Sequence, residues 1–224
     1  MTFPTPRTPI ASSAVATTTA RVVDLPAGIQ AGDLLVVVAL AFSTAGDITP
    51  PAGWALMPGD WGDGISGGSS AAGIYWKIAV GGETSATWVA QNTSGSMYYA
   101  AMAFRDASSF EYTFSSRDGL TTMDSPSITP SWGLADNLFC AVHLWSSVGD
   151  APSGYPSGYS LMQAYSGSGT TGVRASGRQS AAATEDPPSV SSTSGAFSLG
   201  RAATLAIRPL IAAQAVARGG YMMG

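Results

Sequence analysis

Two long apolar runs dominate the pattern along the chain. The first, Leu34-Leu35-Val36-Val37-Val38-Ala39-Leu40-Ala41-Phe42, opens after a turn-type Gly32-Asp33 pair and contains no polar residue. The second follows Asp136-Asn137 and runs Leu138-Phe139-Cys140-Ala141-Val142-His143-Leu144-Trp145. Both are too short to span a membrane, which takes about 20 residues. A strand with one wet face alternates, so unbroken runs of this kind predict strands covered on both faces. They are expected to be the central strands of one β-sandwich, sharing an interior.

The other segments arrange themselves around these runs. Residues 12–23 are small, β-branched and hydroxylated, which predicts a strand at or near a sheet edge. Residues 73–79 alternate, with Ile74, Trp76 and Ile78 on one face and Tyr75 and Lys77 on the other, as in a half-buried strand. Gly81-Gly82 and Thr93-Ser94-Gly95 mark turns into strands at 85–89 and 97–105. Further short strands are expected at 110–114 and around 127–129, and a Gly/Pro/Ser loop over 149–158 leads into Tyr159-Ser160-Leu161-Met162. Residues 173–200 are the least hydrophobic part, with Pro187-Pro188 set against any central strand there, and 199–208 closes the fold with Leu205 and Ile207 inward. No segment before residue 210 has helical periodicity of useful length.

The halves echo one another. Asp33 and Asp136 stand 103 residues apart, as do Gly46-Asp47 and Gly149-Asp150. Pro51-Ala52-Gly53-Trp54 returns as Pro156-Ser157-Gly158-Tyr159, Glu83 as Glu185, and Ala103-Phe104-Arg105 as Ala206-Ile207-Arg208. Order is kept and the spacing drifts by a few residues, as expected of a duplication whose loops differ in length. The expected organisation is an N-terminal extended arm over 1–11, a single jelly-roll-like antiparallel β-sandwich over 12–210, and an apolar tail over 211–224. The pseudo-repeats within the sandwich cover about 12–107 and 108–210, with about six strands in each half.

Composition narrows the function. Charged residues make up only 11% of the 224, with 27 Gly and 14 Pro, so the wet surface relies on hydroxyls and backbone. Low charge favours association, and an oligomer or lattice-bound state is expected. Net charge is −4 and the ten basic residues are scattered, which leaves no basic stripe for nucleic acid. The N-terminus lacks the charged and apolar regions of a signal peptide, and a single cysteine excludes an internal disulfide. Synthesis in a cytoplasm without classical export is expected, with no membrane insertion.

Candidate chemistry is sparse. His143 is the only histidine and Cys140 the only cysteine, so a structural zinc site lacks ligands, and a regular strand points the two to opposite faces. Asp60 and Asp63 share a Gly-rich loop that turn chemistry explains better than a weak calcium site. Glu83, Glu111 and Glu185 form no recognisable acid–base pair, and no catalytic residue or cofactor is assigned. Trp54, Trp76, Trp88 and Trp145 read as core, whereas Trp61 lies in the Gly-rich loop, where it could stack on a sugar ring or anchor a partner. Pro4, Pro6 and Pro9 favour an extended arm lying along a neighbouring surface. Tyr221, Met222 and Met223 end an almost uncharged tail suited to docking into a neighbour.

A resemblance rests on Leu25-Pro26-Ala27-Gly28-Ile29-Gln30-Ala31-Gly32-Asp33-Leu34-Leu35-Val36 and Pro50-Pro51-Ala52-Gly53-Trp54. It continues through Tyr75-Trp76-Lys77-Ile78-Ala79 with Glu83-Thr84, and Tyr99-Ala100-Ala101-Met102-Ala103-Phe104-Arg105. This arrangement resembles β-sandwich domains of accessory virion proteins of tailed bacteriophages, of the decoration, head-fibre and tail-fibre types. It covers the first half well and the second only through the repeat. The resemblance implies a non-enzymatic virion protein made in the host cytoplasm, with other capsid or tail subunits as partners. A capsid-surface decoration or head-fibre role is the preferred expectation. The alternatives are a tail-associated module binding host glycans through Trp61 and, from another class, a jelly-roll glycan-degrading enzyme.

Overall fold

The computed structural model describes residues 3–8, 10–15, 19–42, 48–58, 70–90, 96–117, 119–146, 151–167, 171–193 and 195–210. The described chain is all-β, built of several antiparallel sheets. Its first half carries β1 (Thr5–Pro6), β2 (Ile10–Val15), β3 (Ala20–Asp24), β4 (Leu34–Phe42) and β5 (Ile48–Thr49). Then come β6 (Ala55–Leu56), β7 (Ser70–Ile78), β8 (Ser85–Ala90) and β9 (Ser96–Arg105). The second half carries β10 (Ala107–Ser116), β11 (Thr122–Met123), β12 (Ala135–Ser146) and β13 (Ser160–Gly167). It ends with β14 (Thr171–Ala182), β15 (Val190–Ser191) and β16 (Leu199–Pro209).

The strand order of the first half returns in the second. One large sheet runs β1–β9–β4–β7–β6, with β2 also paired to β9, and the other runs β10–β16–β12–β14–β13. A small sheet, β3–β8–β5, accompanies the first, and β11–β15 the second, where a bridge between Pro152 and Ser192 stands in for β5. The register agrees as well. Leu34 of β4 lies between Phe104 and Ile78, and Leu138 of β12 lies between Ile207 and Gln179.

Burial explains why the two runs show no alternation. On β4, Leu34, Val36, Val38 and Leu40 belong to one apolar cluster, while Leu35, Val37, Ala39 and Ala41 belong to another with Trp88, Tyr99 and Ile48. The first cluster also holds Leu138, Cys140, Val142 and Leu144 of β12, together with Leu205 and Ile207 of β16. The opposite face of β12 places Phe139 and Ala141 with Ile128 and Tyr159, and Trp145 with Met123, Val190 and Phe197. Each central strand thus has apolar partners on both faces. Each large apolar side chain fully buried in this way contributes about 1.5–3 kcal/mol. Val37 and Phe139 have no exposed surface.

The turns before β6 and β13 repeat too. The Trp54 amide donates to Pro51 O at 3.3 Å and the Tyr159 amide to Pro156 O at 3.1 Å, closing four-residue turns. Gly53 (φ 86°) and Gly158 (φ 80°) occupy the third positions, where a side chain would be strained.

Several expectations need correction. Residues 12–23 form parts of two strands in different sheets, β2 and β3, because each pairs with its own partner, β9 or β8. Tyr75 is buried, so β7 is not half-wet there: its ring meets Trp88 edge-on at 4.7 Å and its hydroxyl donates to Ile48 O. Residues 127–129 contribute only a bridge between Ile128 and Glu185. The polar stretch from residue 173 does supply a central strand. β14 lies between β12 and β13 and ends before Pro187, so the prolines never interrupt it. The expected extended arm is in part a strand on the chain's own sheet, since Thr5 pairs with Arg105 and the Arg7 amide donates to Ala103 O at 2.8 Å.

Candidate functional site

Three groups of polar side chains stand out, together with a cavity. The first centres on Asp33, the residue immediately before β4. Its carboxylate is buried and accepts the Gln30 amide at 2.9 Å, which pins the turn. Arg7 Nε and Arg105 Nε each lie 3.5 Å from it, so one carboxylate is shared between the guanidinium group just after β1 and the one that ends β9.

The second group occurs twice. Lys77 Nζ lies 3.2 Å from Glu83 Oε1 and 6.0 Å from the centre of the Trp54 ring. In the second half, Arg178 lies 3.2 Å from Glu185 Oε1, and that same oxygen accepts the Tyr159 hydroxyl at 3.0 Å. Aromatic, cation and glutamate therefore come from matching positions in both halves. The glutamates are used differently. Glu83 accepts the Val80 and Gly81 amides at 2.8 Å each; burial works against its charge, but these amides and Lys77 outweigh it and hold the carboxyl below its usual range. Glu185 is buried, and burial together with its charge raises the pKa of the Tyr159 phenol. Both carboxylates are committed to neighbours, and so is Glu111, which accepts the Ser131 amide and hydroxyl.

The third group is His143 with Ser125, both fully buried, with Oγ and Nε2 3.0 Å apart. Burial, and then the Arg174 charge on the paired strand, push the histidine down to about 3, so the imidazole is neutral. Nδ1 has no hydrogen-bond partner, so no carboxylate orients the ring as in a triad. Cys140 lies on the opposite face, in the cluster shared by both large sheets, and burial pushes its thiol up to about 12. A thiol held that far above its ordinary value is a poor nucleophile.

The cavity, of about 710 Å³, lies between residues 6–8 and the strands β13 and β14. Arg7 and Arg178 line it with Leu161, Met162 and Gly177. The sequence singles out neither arginine; the strand register shows that Arg178, paired with Phe139, stands where Lys77, paired with Leu35, stands in the first half.

Of the residues singled out from sequence, Pro4 is buried and Pro6 is exposed within β1. Asp60, Trp61, Asp63, Pro9, Tyr221, Met222 and Met223 lie outside the described residues. Trp88 and Trp145 are fully buried, while Trp54 and Trp76 are partly buried against the clusters. Trp132 donates to Asn137 Oδ1 at 2.9 Å under the Arg208 guanidinium. Among the described residues, no group of three His, Cys, Asp or Glu side chains could hold a metal ion.

No protein-family model matches the chain. No curated protein matches it either.

Proposed function

We propose that the chain is a non-enzymatic accessory protein of a virus particle, docked on neighbouring capsid subunits as decoration or as part of a head fibre. The observation that carries this reading is the use made of the motif residues behind the phage resemblance. Asp33 and Arg105 meet each other, and Trp54, Lys77 and Glu83 form one cluster. These residues hold turns and strands in place, which is the work of a scaffold. The low charge of the chain favours a neighbour-facing surface.

The two halves would form one jelly-roll-like β-sandwich, each giving a large sheet, with the large sheets packed over the cluster that contains both Val36 and Val142. The repeated strand order and the matched Lys77–Glu83 and Arg178–Glu185 pairs support an internal duplication.

Immunogold labelling of purified particles from the producing culture tests the role. Gold on the heads, at a fixed number per particle, is the expected result. Gold confined to tails would transfer the role to a tail module, and particles without the chain would overturn the reading.

A further inference from the structure

The two halves differ at one register-equivalent place. Phe104 of β9 and Ile207 of β16 correspond, since each has a central-strand leucine on one side. On the other side Phe104 faces Pro6, and Ile207 faces Phe110. Across the central strands, Val36 pairs with Trp76, and Cys140 pairs with Gly177. Trp76 and Phe110, one from each half, meet edge to face with ring centres 5.0 Å apart and close the cluster at that end. Tyr112, two residues beyond Phe110, adds a third ring whose hydroxyl donates to Pro58 O. The counterparts at the other end are Gly177, Pro6 and Thr8, and all three line the 710 Å³ cavity. Three aromatic rings at one end are thus matched by a glycine, a proline and a threonine at the other, where the Met162 thioether lies over Gly177.

We propose that this cavity is a binding site for a small aromatic carboxylate, with a fused or double ring lying against Met162 and Leu161 between Arg7 and Arg178. Leu138, Leu161 and Met162 supply apolar wall, and thioether sulfur makes favourable contacts with aromatic rings. Arg7 and Arg178 supply the anion-binding groups. Each guanidinium has five N–H donors, and each is steadied by a carboxylate, Asp33 or Glu185. Asp33 is shared with Arg105, so the arm side of the cavity keeps a net positive charge. An anion attached to an aromatic ring satisfies both walls; a neutral ring or a bare anion satisfies one. This assignment stands independently of the virion reading.

The test uses the full chain, isotope-labelled, titrated with indole-3-acetate, indole-3-acetamide and acetate while amide resonances are followed. Saturable shifts at the Gly158 and Gly177 amides are expected with indole-3-acetate, with about tenfold weaker binding of the amide. Acetate should bind at least that much more weakly. Gly177→Trp, which rebuilds the ring of the other half, should abolish the shifts. A Cβ at Gly177 would stand 2.7 Å from Met162 Sδ, the far part of a flexible side chain. Leu161→Trp, at a half-exposed position lining the same cavity, carries the test should Gly177→Trp fail to fold. Arg178→Gln should lower affinity about tenfold. Equal affinity for acid and amide, undiminished binding to a folded Trp variant, or no saturable shift at either glycine would overturn the assignment.

Discussion

Lys77 Nζ stands 3.2 Å from Glu83 Oε1, and the second half repeats the contact with an arginine, Arg178, at the same distance from Glu185. The two cation–carboxylate pairs stand at different depths. Glu83 sits beside a surface turn, whereas Glu185 is buried and also holds the Tyr159 hydroxyl.

The difference in depth predicts a difference in cost. Glu185→Ala leaves the Tyr159 hydroxyl without its acceptor and should destabilise by about 1–3 kcal/mol. Glu83→Ala, which frees two amides near solvent, should cost about 0.5–1.5 kcal/mol. Urea denaturation of the two variants beside the parent checks the order, and a larger loss for Glu83→Ala would refute it.

Two-sided burial makes the central strands intolerant of truncation. Phe139→Ala should cost about 3–5 kcal/mol and Leu35→Ala about 2–5 kcal/mol. Val80→Ser, at a position 77% exposed, should stay within about 0.5 kcal/mol of the parent. The same denaturation series measures all three.

Much of this was legible in sequence because β4 and β12 carry almost nothing but apolar side chains, and only cover on both faces accommodates that. Tyr75 shares its face with Lys77, which marks that face as wet in the sequence; in the fold the Tyr75 hydroxyl donates to Ile48 O inside the first half. β14 was hidden for the opposite reason. Gly172, Ser176, Gly177 and Ser180 give it little apolar character, and its neighbours β12 and β13 supply the bulk around it. The Ser125–His143 and Tyr159–Glu185 pairs join residues 18 and 26 positions apart. No local pattern marks such contacts, and only the match between Glu83 and Glu185 hinted at the second.

Acid should expose the buried histidine. The folded state holds His143 at about 3 against an ordinary 6.5, so between these pH values the unfolded chain binds one more proton. Stability contributed by the neutral ring is complete above pH 6.5 and is lost as pH falls toward 3, at up to about 1.4 kcal/mol per pH unit. His143→Gln should remove this component of the pH dependence. Thermal melts at half-unit steps test it, and a parent whose stability is flat from pH 6.5 to pH 4.5 would refute the assignment.

The thiol offers a probe of the shared cluster. Cys140 is buried there with its ionisation suppressed, so iodoacetamide at pH 8 should label it only once denaturant unfolds the chain. Rapid labelling without denaturant would mean that the cluster opens readily.

β4 and β12 are both sealed on two faces, one in each repeated strand set. Amide hydrogen exchange resolved along the chain tests this most directly. Residues 35–40 and 139–144 should be the last to exchange, together and at the free energy of global unfolding. Exchange of either stretch as early as the short strands β11 and β15 would contradict it.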